Sequence, residues 1–124
     1  MQYTLLINGG PESQSAETAL KFAQALHSTG HSIFRLFFYQ SGVLLAQKTS
    51  TPSSLARRWQ SFVETQHLDA VVCITAAVRR GIVSEAESRS SDATFEQIAP
   101  GFQISGLGQF ADALAQSQRL LSFG

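Results

Sequence analysis

The chain has 124 residues, 44% hydrophobic and 15% charged, which is the size of a single domain, 1–124, able to bury one substantial core. Nine basic and nine acidic residues give a formal net charge of zero and exclude a basic stripe gripping a nucleic-acid backbone. One cysteine excludes an intrachain disulfide framework and a cysteine-based zinc site; a free thiol points to a reducing compartment, the cytoplasm. The amino-terminal ten residues lack the basic flank and apolar core of a signal peptide. No apolar run approaches the roughly 20 residues needed to span a bilayer. Nine phenylalanines and several apolar runs hint at subunit contacts.

Gln2 to Ile7 reads as a strand, stopped by Asn8-Gly9-Gly10-Pro11. The glycine pair lacks the spacing of a dinucleotide fingerprint, and Glu12 brings the wrong charge for an anion cradle; an ordinary tight connection is the simpler reading. Ser13 or Ser15 caps a helix running to Ser28, with Ala19, Phe22, Ala23 and Leu26 on one face and Glu17 in the first turn. Gly30 closes it. His27 and His31 flank that glycine as helix-end and strand-start residues, and the three histidines show no metal-ligand spacing.

Residues 31–39 (HSIFRLFFY) form a second strand whose continuous apolar character suits a parallel sheet covered on both faces. Residues 43–50 are open between a short helix and an ordered loop. Thr51-Pro52 is expected to start a helix, with Leu55, Trp59, Phe62 and Val63 as its buried stripe. Residues 69–75 are expected as the third strand and residues 76–83 as a short helical piece. Residues 84–99 are polar, with helical character near 92–98, and are the stretch most suited to motion or ordering by a partner. Phe102 to Ser105 is a fourth strand. A helix from Gln109 to about Gln118, with Phe110, Ala113 and Leu114 inward, leads to a terminal strand, residues 119–123. Strands alternate with helices throughout, and every connection is too long for a hairpin. This predicts an α/β fold: a three-layer α/β/α sandwich around a mainly parallel sheet of about five strands.

The chain is organised around residues 71–81, VVCITAAVRRG. An apolar run delivers Cys73 to the carboxyl end of a central strand, and a helix opens just after it. Working groups of such sheets sit at carboxyl ends near a topological switch point. A thiol there is either a packed small hydrophobe or a nucleophile, and the residue types alone favour packing. As a nucleophile it needs no metal, second cysteine or base, because the thiolate itself attacks the outer sulfur of a persulfide. A helix N-terminus at Ala76 would favour the thiolate. Arg79 and Arg80 are open between adding field at the sulfur, contacting a partner, capping the helix before Gly81, and lying solvated on its face.

Residues 21–26 with Gly30-His31, FFYQSGV (37–43), CITAAVRRGIV (73–83) and GFQISGLGQFADA (101–113) resemble, in that order and spacing, the DsrE-like sulfur-relay family, and within it the TusD-type branch. The resemblance covers nearly the whole chain. It implies a cytoplasmic sulfurtransferase subunit with no cofactor and no metal, in a heterohexamer with TusB-like and TusC-like partners. A TusA-like donor would hand sulfur to the cysteine, and a TusE-like acceptor would take it toward 2-thiolation of the wobble uridine of tRNA, without direct tRNA binding. The family's active cysteine falls on Cys73, with Arg79 and Arg80 as supporting or partner-binding residues. The alternatives are a DsrE-type subunit of dissimilatory sulfur oxidation, a non-catalytic assembly subunit, and a small nucleotide-binding domain using Gly9-Gly10 or residues 106–108.

Overall fold

Five strands form one wholly parallel sheet in the order β4-β3-β2-β1-β5. The structure, a computed structural model, describes residues 1–89 and 95–124. The strands are β1 (Gln2–Ile7), β2 (Ser32–Phe38), β3 (Ala70–Cys73), β4 (Phe102–Ser105) and β5 (Arg119–Phe123). Helices α1 (Gln14–Ser28), α2 (Ser54–Thr65), α3 (Ile74–Arg79), α4 (Glu85–Ser88) and α5 (Gly108–Gln116) connect them, with a 3-10 helix over Gln40–Ala46. The expected three-layer α/β class is what the chain adopts.

Partners in parallel strands share a sheet face, so register assigns the two layers. Leu5, Leu36 and Ala70 pair across β1, β2 and β3, as do Ile7, Phe38 and Val72. This face meets α1 and α2: the Trp59 ring stands edge-on to Phe38 at 5.4 Å, and its indole N–H donates to the Ala16 carbonyl at 3.1 Å. Burying a large aromatic with its one polar group satisfied makes Trp59 the anchor of that layer. The opposite face carries Thr4, Arg35, Phe37 and Val71 and is covered by α5, whose Phe110 packs on Phe37 with ring centroids 5.2 Å apart. Arg35 is buried there because its charge is fully engaged. Its Nε and Nη2 donate to Asp69 Oδ2 at 3.0 and 2.8 Å, and its Nη1 donates to the Gln109 carbonyl at 2.8 Å and Asp112 Oδ2 at 3.1 Å. Burial pulls the guanidinium pKa down, but Asp69 and then Asp112 outweigh it and hold it above its ordinary value.

Several boundaries differ from expectation. Ser13 does cap α1, but Ser53, not Thr51, caps α2, accepting from the Ala56 N–H at 3.1 Å; Pro52 lies outside the helix. A serine hydroxyl reaching the third helical N–H competes better for the cap than a threonine two residues earlier. Of the undecided stretch 43–50, residues 43–46 end a 3-10 helix that begins at Gln40, and Gln47 pairs with Ile98 in an isolated bridge. Leu114 is 46% exposed, because α5 alone covers its face and nothing lies over its outer side. Residues 90–94, within the stretch read as polar and partly helical, lie outside the described residues; Phe95 to Ile98 form turns ending in a bridge of Ile98 to Gln47. Before them, Ser84 and Glu87 close a reciprocal capping box on α4. Among the described residues, no helix is long and apolar enough to cross a membrane.

Candidate functional site at the carboxyl ends of β2 and β3

The third strand stops at Cys73, not at Thr75, and α3 begins at Ile74, not at Ala76. The β-branched Ile74 and Thr75 look like strand, but their apolar content reflects burial at a strand-to-helix turn rather than extension. Cys73 keeps extended backbone angles (φ −66°, ψ 121°) and occupies the N-cap of α3, although its side chain makes no capping hydrogen bond. Register sets Val72 against Phe38 and Cys73 against Ser105, so one step further along β2 brings Tyr39 level with Cys73.

The thiol is fully buried, at 0% exposure. The 3-10 helix packs against both β3 and α3, with Val43, Leu45 and Ala46 buried in the core. It enters through Gln40, whose φ of 49° is left-handed, an uncommon conformation for a residue with a Cβ. Cys73 therefore lies at the carboxyl end of a strand, as expected, but beneath the surface.

Two residues further on, a cavity of about 240 Å³ opens, lined by Tyr39, Gln40, Thr75, Ala76, Arg79 and Arg80 and not by Cys73 itself. Thr75 and Arg79, and Ala76 and Arg80, are four residues apart, so these side chains share one side of α3. Side chains on a helix lean toward its N-terminus, which sweeps both guanidiniums back toward the Cys73 end. Neither arginine forms an ion pair among the described residues. They also stand where α3 ends. Gly81 has a φ of 74°, its N–H donates to the Val78 carbonyl at 3.0 Å, and the Ile82 N–H donates to that of Ala77 at 2.9 Å. That left-handed closure ends the helix and leaves both arginine side chains exposed. The arginine pair was legible from sequence. Tyr39 and Gln40 were not, because only the register of β2 against β3 brings them to α3.

The topological switch lies elsewhere. The strand order reverses at β1, between β2 and β5, one strand away from Cys73's neighbours. At that crevice the Asn8 N–H donates to the Phe123 carbonyl at 2.9 Å, and a Cβ on Gly124 would come 2.8 Å from the Gly9 nitrogen. The chain's own last strand closes against Gly9, which supports the tight-connection reading of the glycine pair. Two of the three histidines are edge-on to rings, His31 to Tyr3 at 5.6 Å and His27 to Phe62 at 6.2 Å. Among the described residues, no group of three or more His, Cys, Asp or Glu could hold a metal ion.

Comparison with known proteins gives this geometry a context. The model of the DsrE/DsrF-like family matches residues 1–123. DsrE of Allochromatium vinosum is 43% identical, over 100% of this chain and 99% of that protein. Sulfurtransferase TusD of Cronobacter sakazakii is 38% identical, over 99% of this chain and 100% of that protein. The crystal structure of the YchN protein from E. coli superposes with a TM-score of 0.78 at 22% identity, covering 99% of this chain and 100% of that one, which speaks to fold alone.

Proposed function

The chain belongs to the DsrE/DsrF-like family as a sulfurtransferase, and on that premise we propose that Cys73 carries the transferred sulfur as a persulfide. Its thiolate bonds to the outer sulfur of a donor persulfide; the donor's S–S bond breaks and the donor leaves as a thiolate. An acceptor thiolate then attacks the outer sulfur on Cys73 and releases the Cys73 thiolate, so the exchange is neutral in electrons. The observation that carries the reading is the position of the chain's only cysteine, at the carboxyl end of β3 and at the turn into α3, whose helix walls a cavity with two guanidiniums unpaired among the described residues. Because the thiol is fully buried, transfer requires its cover to move when the donor docks.

Within that chemistry the subunit works in a cytoplasmic relay, receiving sulfur from a TusA-like donor and passing it to a TusE-like acceptor for 2-thiolation of wobble uridine. It does so beside TusB-like and TusC-like subunits. The exposed Leu107, Leu114 and Leu120 support a subunit contact. A second reading keeps the mechanism and changes the pathway to sulfur oxidation; the 43% identity to a DsrE, against 38% to a TusD, favours it. The acceptor that co-purifies with the complex separates the two.

Mass spectrometry of the intact chain after exposure to a persulfide donor tests the shared core. One added sulfur on Cys73 is expected, with none in Cys73→Ser at unchanged fold. Sulfur uptake undiminished in that variant would sink the assignment.

A further inference from the structure

The cavity beside Cys73 has a lining that the carrier chemistry alone does not require. Tyr39, Gln40, Thr75, Ala76, Arg79 and Arg80 include no carboxylate, and its two charges are both positive. Each guanidinium offers five N–H donors, and the Thr75 and Tyr39 hydroxyls and the Gln40 amide can add more. Of the seven other lysines and arginines, Arg35, Arg58 and Arg89 are ion-paired, and Lys21, Lys48, Arg57 and Arg119 are exposed on four different elements or loops. The paired, same-side spacing on α3 concentrates positive charge, unpaired among the described residues, at a concave wall about two helical turns on from Cys73.

We propose that this cavity is an oxyanion subsite, holding the anionic end of a sulfane-sulfur compound while its outer sulfur meets Cys73. The proposal rests on Cys73 as carrier and names the class of molecule that loads it. With a thiosulfonate such as thiosulfate, the Cys73 thiolate bonds to the outer sulfur, the S–S bond of the donor breaks, and its electron pair leaves with sulfite. The product is a persulfide anion on Cys73, and total charge is conserved. The thiol proton is lost to solvent beforehand, and no external oxidant or reductant enters. A carboxylate next to a persulfide on a polypeptide presents the same oxygens to the same arginines. The shared chemistry is the oxyanion; the two sources are a small anion and a partner's acidic residue.

Two probes separate the sources. Thiosulfate binding is measured by equilibrium dialysis on full-length Cys73→Ser, where no turnover occurs. Sulfur loading is measured on the Cys73 chain, both with thiosulfate and with a pair of synthetic persulfide peptides carrying Asp or Asn beside the cysteine. Saturable thiosulfate binding is expected, weakened about ten-fold or more by Arg79→Gln with Arg80→Gln and partly kept by the double lysine variant. A small-anion source is read as thiosulfate loading Cys73 with the same arginine dependence. A protein source is read as faster loading from the Asp than from the Asn peptide, a preference lost in the double glutamine variant. Equal loading and binding in wild-type and double glutamine chains with every probe overturns the subsite and leaves the carrier standing. Anion binding without sulfur on Cys73 overturns the carrier and leaves the subsite.

Discussion

Gly42 ties the 3-10 helix that packs on α3 and β3 to the rest of the fold, and Gly42→Ala tests that tie. Its N–H donates to the Tyr39 carbonyl at 2.8 Å and to the Asn8 carbonyl at 3.2 Å, which draws the 3-10 helix down onto the loop after β1. A Cβ there would run into the carbonyl oxygen of Ile7, come 2.9 Å from its carbon and 3.5 Å from the Gly9 oxygen. The obstacles are backbone atoms, so no side-chain rotation relieves the overlap; the 3-10 helix must lift by about 1 Å. Overpacking costs about 1–3 kcal/mol, and the rigid obstacle places this substitution at about 2–3 kcal/mol. At this chain length that lowers Tm by about 10 °C. The same lift tests whether the 3-10 helix screens Cys73. If about 2 kcal/mol of it appears as easier local opening, the thiol reacts about 30-fold faster with a maleimide or disulfide probe. Urea unfolding and probe kinetics on the same samples give both numbers. Gly106→Ala, where a Cβ meets nothing within 4 Å, serves as the control and should stay within about 0.5 kcal/mol. A Gly42→Ala chain as stable as wild type would refute the close approach. Lost stability with unchanged labelling would refute the 3-10 helix as the cover.

Two further substitutions address ion pairs of the scaffold away from the site. Arg35→Met strips four hydrogen bonds from a buried guanidinium, but Asp69 and Asp112 are partly exposed and regain water. The expected loss is therefore about 2–3 kcal/mol rather than the larger cost of orphaning a fully buried charge, with Arg35→Lys intermediate; a loss under about 1 kcal/mol in urea would show the network to be ornamental. Arg58 donates from Nη1 to Glu17 Oε1 at 3.0 Å, and its Nη2 approaches Oε2 at 2.8 Å as an ion-pair contact. The Arg58 hydrogen bond holds the Glu17 carboxyl below its ordinary 4.5, against the opposing effect of burial. A lowered folded-state pKa stabilises above the unfolded value and loses that stabilisation as pH falls through the folded one. Arg58→Gln should thus be less stable than wild type at neutral pH, the gap closing below the carboxylate range; a gap constant from pH 7 to 3 would contradict this.

Much of the fold was legible because single elements carried their own signals. The apolar run from Ile33 to Phe38 declared a strand covered on both sides, and its neighbours bear that out: Phe38 against Trp59, Phe37 against Phe110. Of the two capping candidates, Ser13 and Ser15, the structure uses Ser13. The misreadings share a cause, in that they are decided by what packs over a residue rather than by the residue. Ile74 and Thr75 are β-branched yet helical, since the chain must turn once β3 has met β2 and β4. Leu114 fits the apolar spacing of α5 but faces outward, because its layer holds one helix rather than two. At the site, Cys73, Arg79 and Arg80 stand within one local stretch of sequence. Tyr39 and Gln40 are remote from it, and the left-handed backbone of Gln40 has no sequence signal without the glycine that usually marks one.

The place of the thiol follows from how the sheet is closed. In a doubly wound sheet the open crevice lies where strand order reverses, and here that crevice is taken up by β5, with Gly124 set against Gly9. The remaining carboxyl ends are those of β2, β3 and β4, all on one side of β1. There β2 runs on through Tyr39 into the 3-10 helix, whereas β3 turns at once into a six-residue helix. The longer exit of β2 folds over the shorter exit of β3. A concavity therefore forms between them, walled by Tyr39 and Gln40 on one side and by Thr75, Arg79 and Arg80 on the other. Cys73 lies under its edge, level with Tyr39. The same geometry that makes a recess for a donor also buries the atom the donor must reach. Access and chemistry thereby meet at one turn, because α3 begins at Cys73 and also walls the recess.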